Sequence, residues 1–144
     1  MKMELKGVTG EELSFKINRV RLTDNKLDIK PQFSRQVRKL NNNDKVNFVA
    51  LSVKIESTEA EPKPFDINAT VVGVFEVTDI KNDADERNFV IEATKAVYPY
   101  LRQIVSGLTG LANISPLFLP VINGPLFPED RDTYAFTVSG GNLN

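Results

Sequence analysis

One stretch of this chain leaves little freedom about what it becomes. Phe65, Ile67, Ala69, Val71, Gly73, Phe75 and Val77 occupy one side of a two-residue period, and Asp66, Asn68, Thr70, Val72, Val74, Glu76 and Thr78 occupy the other. Successive side chains of an extended strand point to opposite faces of a sheet. Residues 65–78 are therefore expected to form a strand that buries one whole side. Gly73 falls where the apolar series would place a side chain, which predicts either a bulge or a close approach of another backbone.

Three further strands are expected ahead of it. Leu13, Phe15 and Ile17 alternate with Ser14 and Lys16, after which the apolar phase slips to Val20 and Leu22, the pattern of a strand with a bulge near Asn18. Thr23 to Lys26 carries turn residues, and Leu27, Ile29, Phe33 and Val37 resume an interrupted two-residue period as far as Leu40. Pro31 confines the first part of this second strand to an edge or an irregular piece. Asn41-Asn42-Asn43-Asp44 predicts a turn, because Asn and Asp tolerate left-handed backbone, and Val46 to Ile55 reads as a third strand. Glu59 to Pro64, with two prolines and two acids, is expected to be a hairpin connection.

From Asp83 the period becomes helical, with Asp83, Asp85 and Glu86 at the positive end of the helix dipole. Phe89, Val90, Ala93, Val97, Tyr100, Leu101, Ile104, Val105 and Leu108 follow the spacing of one apolar stripe. The spacing predicts a helix of about seven turns at most, with a kink or restart near Pro99, which removes a main-chain donor. Gly107 and Gly110 are expected to mark its end. Residues 114–128 are strongly apolar yet contain four prolines, which excludes a regular helix or a central strand. Such an extended apolar connection must lie against its own sheet and helix or against a neighbouring chain. Thr133 to Val138 could add a short strand.

With 144 residues the chain suits a single α+β domain, a four-stranded antiparallel sheet with one long helix packed on one face. Residues 1–12 and 139–144 are expected to be frayed ends. Cys, His and Trp are all absent. That excludes disulfides, a thiolate nucleophile, and zinc, haem or iron-sulfur sites built the usual way. It also removes the usual acid-base residue of neutral pH. No catalytic group, no metal and no cofactor are expected, and the acids Glu129, Asp130 and Asp132 read as a solvated loop cluster. A net charge of -1 gives no reason to expect nucleic acid as a partner. The charges are uneven: residues 1–54 hold 12 Lys/Arg against 6 Asp/Glu, and residues 55–144 hold 6 against 13. A solvated basic sheet face explains this more simply than electrostatic pairing of two subunits. No run reaches the length of a signal peptide or a membrane span, so no membrane insertion and a cytoplasmic location are expected.

Three motifs, Gly73-Val74-Phe75, Val97 to Ser106 and Ile114 to Asn123, resemble in order and spacing those of the SecB family of protein-export chaperones. Val97-Tyr98-Pro99-Tyr100-Leu101-Arg102-Gln103-Ile104-Val105-Ser106 is similar to that family's helix pattern Leu-Phe-Pro-Tyr-Ala-Arg-Glu. Ile114 to Asn123 is similar to its crossover of the form Phe-Pro-x-Leu-x-Leu-x-Pro-x-Asn, and Gly73-Val74-Phe75 to a Gly-x-Phe near the end of its fourth strand. The resemblance covers roughly Leu13 to Asn123. It implies a homodimer or a dimer of dimers in which edge strands pair and long helices pack between dimers. Phe15, Ile17, Tyr100, Arg102, Ile104 and Val105 are the residues expected at such contacts. For Arg102 the alternatives are a lock on the crossover through backbone carbonyls and, the simplest, a plain surface arginine. The family commonly carries, five residues ahead of the glycine, a glutamate that meets the Sec motor ATPase. This chain has Asn68 there, so the resemblance leaves contact with the motor open. It also lacks the pattern of the second helix that follows the crossover in the family, and in this it looks more like diverged members, including partners of toxin-antitoxin systems.

A holding chaperone needs exposed apolar area rather than a catalytic group, at about 25 cal/mol per Å2 buried. Several patches on one long client would add avidity. The expected client surface is Leu117, Phe118, Leu119, Val121 and Ile122 of the crossover, Tyr98 and Leu101 of the helix, and Phe33 and Val37 of the second strand. Core or subunit interface is the alternative role for any of these. An oligomeric adaptor that binds one folded partner, such as an antitoxin, is the competing function, and an enzyme using carboxylates alone has the least support.

Overall fold

The structure, a computed structural model, describes residues 1–19, 29–122 and 124–131. Four strands run β1 (Lys2–Ile17), β2 (Gln32–Leu40), β3 (Asn43–Ile55) and β4 (Phe65–Thr78), followed by one helix, α1 (Asp83–Leu111), and a 3-10 turn at Pro128–Asp130. All neighbouring strands are antiparallel in the order β1-β4-β3-β2, which leaves the two longest-separated strands, β1 and β2, at the edges.

The core forms where the sequence period placed it. Phe65, Ile67, Ala69, Val71, Phe75 and Val77 of β4 are buried together with Val49, Leu51, Val53 and Ile55 of β3. The helix covers this face with Phe89, Ala93, Val97, Leu101 and Val105. Gly73 is where helix and sheet come closest: a Cβ there would lie 2.6 Å from Cγ2 of Val97 and 2.9 Å from the Phe75 ring. The pairing of β4 with both neighbours is unbroken on its own side, so close approach rather than a bulge explains this glycine.

β1 is longer than the sequence period predicts. Residues 2–10, expected to fray, pair with β4 from Thr78 to Val71. Two register shifts, between Leu5 and Gly7 and between Gly10 and Glu12, conceal the strand in the sequence. Each shift inserts one residue and turns the following side chains to the other face. Met3, Leu5, Val8, Leu13, Phe15 and Ile17 consequently all share the helix-side face, opposite Val77, Phe75, Gly73, Ala69, Ile67 and Phe65. Among the described residues no bulge lies near Asn18: the strand ends at Ile17, and the Asn18 amide donates to the Lys63 carbonyl and to Asp66. Val20 and Leu22 lie outside the described residues, as do Thr133 to Val138 and the expected frayed tail 139–144.

The remaining differences are local. β2 starts one residue after Pro31, later than the period beginning at Leu27 suggests, and its turn into β3 is tighter than the four-residue reading, with Leu40 pairing Asn43 across Asn41 and Asn42. α1 runs unbroken through Pro99 for 29 residues, about eight turns. Its N-cap Asn82 accepts from the Asp85 N–H, and the Asp85 carboxylate accepts from the Lys81 N–H, which satisfies two donors at the helix start. Past the C-terminus Asn113 adopts φ 59, and the N–H of Ile114 reaches the Thr109 carbonyl. The helix is thus ended by asparagine in the left-handed region, just beyond the two glycines.

Burial corrects three expected surface residues and leaves a fourth, Tyr98, only 6% exposed. Leu101 and Leu119, expected to face clients, are 0% and 2% exposed, and Val105, expected at a subunit contact, is 0% exposed. All three sit on the side of the helix or crossover that meets the sheet, where their whole area is used by the core. Asp130, expected in a solvated cluster, is buried as well.

Candidate functional site

After α1 the chain turns back and runs as an extended strap along the helix, antiparallel to it. The bonds between the two follow one stripe. The Leu117 N–H donates to Thr109 Oγ1 (2.8 Å), Arg102 Nε donates to the Leu119 carbonyl (2.9 Å), and the Tyr98 hydroxyl donates to the Pro120 carbonyl (2.7 Å). Further on, Arg87 donates to the Arg131 carbonyl (3.1 Å). Positions 87, 94, 98, 102 and 109 are spaced by seven and four, which puts them on one face of a helix. The prolines explain why the strap takes this form. Pro116, Pro120 and Pro125 have no N–H to place in a sheet, so the segment stays extended and its carbonyls are satisfied by helix side chains instead.

Thr94 and Thr109 make this possible from inside the apolar stripe. Both are buried, and both turn their hydroxyls back to carbonyls four residues earlier, Val90 (2.7 Å) and Val105 (3.0 Å), while accepting a bond from outside the helix. The donor to Thr94 is Arg35 of β2, at 3.0 Å. Arg35 also grips Asp130 with both terminal nitrogens, the second at 3.0 Å, and lies 4.5 Å from the centre of the Phe127 ring. The side chains are 12% and 7% exposed, so this is a desolvated, two-pronged ion pair that fastens the far end of the strap to the sheet edge.

Between these fastenings the strap alternates. Leu117 packs partly on the core and Leu119 is sealed in it, while Phe118 and Val121 are 69% and 72% exposed and Ile122 is half-buried. A pocket of about 130 Å3 opens between strap and helix, with apolar walls from Ile91, Tyr98, Val121, Ile122 and Leu126. Lys95, Arg102 and Asp130 border it. Its volume is below the roughly 300–1,000 Å3 of sites for drug-sized molecules, and it suits one side chain of an extended chain. Tyr98 is buried except at the pocket, with Phe33 edge-on at 6.0 Å. Burial pushes its phenol up from the ordinary value, and the Arg102 charge pulls partly the other way.

The other expected residues divide by position. Phe33 is half-buried beside Tyr98, and Val37, on the same face of β2, is 38% exposed. Tyr100 is 41% exposed on the far side of the helix from the strap, and Ile104 is partly buried. Ile17 is 47% exposed on the helix-side face of β1, and Phe15 stacks on Phe65 at 5.7 Å. Arg102 takes the role of crossover lock. Arg35, Thr94 and Thr109 escaped the sequence reading, although each interrupts an apolar series at a position that period assigns to the core face. Among the described residues no cluster of His, Cys, Asp and Glu could hold a metal, and no helix is long and apolar enough to cross a membrane.

Comparison with known proteins agrees with this geometry. Residues 2–130 match the family model of preprotein translocase subunit SecB. The protein-export protein SecB of Orientia tsutsugamushi is 28% identical over 109 residues, which are 76% of this chain and 64% of that protein. The chain therefore spans less than two thirds of the length of that relative. An uncharacterized protein of Methanocaldococcus jannaschii is 28% identical over 116 residues, covering 78% of this chain and 74% of its own length. Among solved structures, a Mycobacterium tuberculosis SecB-like chaperone in complex with a ChAD peptide from the HigA1 antitoxin shares the fold. Its TM-score is 0.70 at 16% identity, covering 86% of this chain and 93% of that one. A Streptococcus agalactiae protein of unknown function gives 0.54 at 13% identity, covering 84% and 98%.

Proposed function

The chain belongs to the SecB family, and from that premise we propose that it is a chaperone that holds unfolded polypeptide along the seam between the strap and α1. The observation that carries this reading is the strap itself. It is latched at both ends by buried polar contacts and still presents Phe118 and Val121 to solvent, beside a pocket with apolar walls. Leu117, Ile122 and Tyr98 extend the surface inward, and Phe33 and Val37 continue it onto β2. Such a surface competes with a client's own collapse through buried apolar area, worth about 1.5–3 kcal/mol for each large side chain that becomes fully covered. It requires no catalytic group, and membership of this family supports a non-enzymatic role.

Self-association completes the reading. β1 is an edge strand whose helix-side face leaves Leu13 and Ile17 about half exposed, and an uncovered apolar edge is a template for pairing with a second copy. Phe15, Tyr100 and Ile104 would join such contacts, in a homodimer or a dimer of dimers working in the cytoplasm. Docking onto the Sec motor ATPase is not part of the reading, because position 68 is asparagine.

The test is suppression of aggregation of a reduced, unfolded test protein by the full chain, followed by light scattering. Phe118→Ser combined with Val121→Ser is expected to raise the concentration needed for half-suppression at least about tenfold. Equal suppression by this variant would remove the strap from the account. A second reading, an adaptor for one peptide of one partner, has its support in the fold neighbour solved with an antitoxin peptide. It predicts no general suppression together with tight binding of a single co-purified protein.

A further inference from the structure

The pocket between strap and helix is apolar in its walls but not neutral at its mouth. Arg102 is half-buried there, and its one bond within the described residues runs from Nε to the Leu119 carbonyl, so the terminal nitrogens of the guanidinium have no acceptor among the described residues. None of the carboxylates of the described residues pairs with it. Lys95, two turns earlier on the same stretch of helix, also borders the pocket, and its ion pair with Glu92 (3.2 Å) is half exposed and therefore weak. The acid at the rim, Asp130, is already neutralised by Arg35. Of the cations that border the pocket, Arg102 has no carboxylate partner among the described residues and Lys95 has only an exposed one. Pro99, which also lines the pocket, has no N–H to give the Lys95 carbonyl.

We propose that this pocket selects client segments in which an apolar side chain is followed closely by a carboxylate, the side chain filling the apolar walls and the carboxylate pairing with Arg102 and Lys95. A half-buried arginine costs desolvation that an incoming anion repays, and a guanidinium presents paired donors matched to the two carboxylate oxygens. The carboxylate has two possible sources, an Asp or Glu within a client or the free C-terminus of a chain. A main-chain N–H of the same extended segment can use the Lys95 carbonyl. A client segment rich in Lys or Arg is disfavoured at this position by the same charges. The inference rests on the strap-and-helix seam being where polypeptide binds.

The experiment is fluorescence anisotropy of the full chain with four labelled peptides sharing one apolar core. One carries Glu after the core, one Gln and one Lys, all three with amidated C-termini, and the fourth ends there in a free carboxylate. The Glu peptide is expected to bind about tenfold more tightly than the Gln peptide and the Lys peptide more weakly than either, the ratios shrinking as salt is raised. If the free-carboxylate peptide exceeds the Glu peptide, chain ends are the preferred source; the reverse order favours internal acids. Arg102→Gln is expected to bring the Glu-to-Gln ratio close to one, and Lys95→Gln to lower it partway. Because the ratio is read first on the unaltered protein, poor folding of a variant does not blunt the test. Equal binding of all four peptides overturns the inference and leaves the chaperone reading standing. Binding of none of the four overturns both.

Discussion

Replacing Gly73 by alanine would put a methyl group where the buried Val97 side chain already lies, at a point where helix and sheet are both fully packed. Overpacking of this kind costs about 1–3 kcal/mol, and we expect urea unfolding of Gly73→Ala to show a loss in that range with an unchanged slope. Asp66 makes a different kind of prediction. Its carboxylate accepts from the Ser57 N–H (2.8 Å) and from the Asn18 amide (3.0 Å), and these bonds, the first above all, hold its pKa below the ordinary 3.8. A carboxyl with a depressed folded pKa adds stability above its unfolded pKa and loses it as pH falls through the folded value. Wild type should therefore lose part of its stability below pH about 4, and Asp66→Asn should show a flatter acid limb in pH-dependent unfolding. Gly73 was legible in the sequence because it broke a long regular period. Asp66 was not, since its partners lie nine and 48 residues away.

At the scale of elements, the legible parts were those with one uninterrupted period. β4 and the apolar stripe of α1 follow directly from spacing. β1 did not, because two single-residue insertions reset its phase, so that no window longer than about six residues alternates cleanly. The strap was recognisable as apolar chain with too many prolines for a regular element, but its partners were not. They are polar atoms on Thr94, Tyr98, Arg102 and Thr109, which hydropathy periodicity reads as noise in a stripe. Arg35 and Asp130 stand 95 residues apart and meet only when β2 and the end of the strap lie side by side. Removing one partner of such a buried pair strands the other charge, at about 3–5 kcal/mol when fully desolvated. Asp130→Ala should approach the lower figure in urea unfolding, and the double variant Arg35→Met with Asp130→Leu should recover most of it, since an apolar pair of similar size carries no desolvation cost. A single variant as stable as wild type would show that the latch contributes nothing to the fold.

For the whole molecule, the division is between a sheet-and-helix core sealed within one chain and a strap and edge strand that leave apolar side chains open to solvent. The core accounts for stability: its residues are sealed within one chain. Exposed large apolar residues lie outside that core, among them Phe118 and Val121 on the strap, Leu13 and Ile17 on β1, and Leu111 at the end of α1, so the domain can keep its own fold while part of its apolar area stays open. Amide hydrogen exchange of the full chain, with and without a saturating unfolded client, reads the central claim most directly. The account predicts new protection within residues 117–127 and in the exposed turns of α1 that face them, with core strands β3 and β4 unchanged. Protection confined to the outer face of the sheet, with the strap exchanging as before, would contradict it.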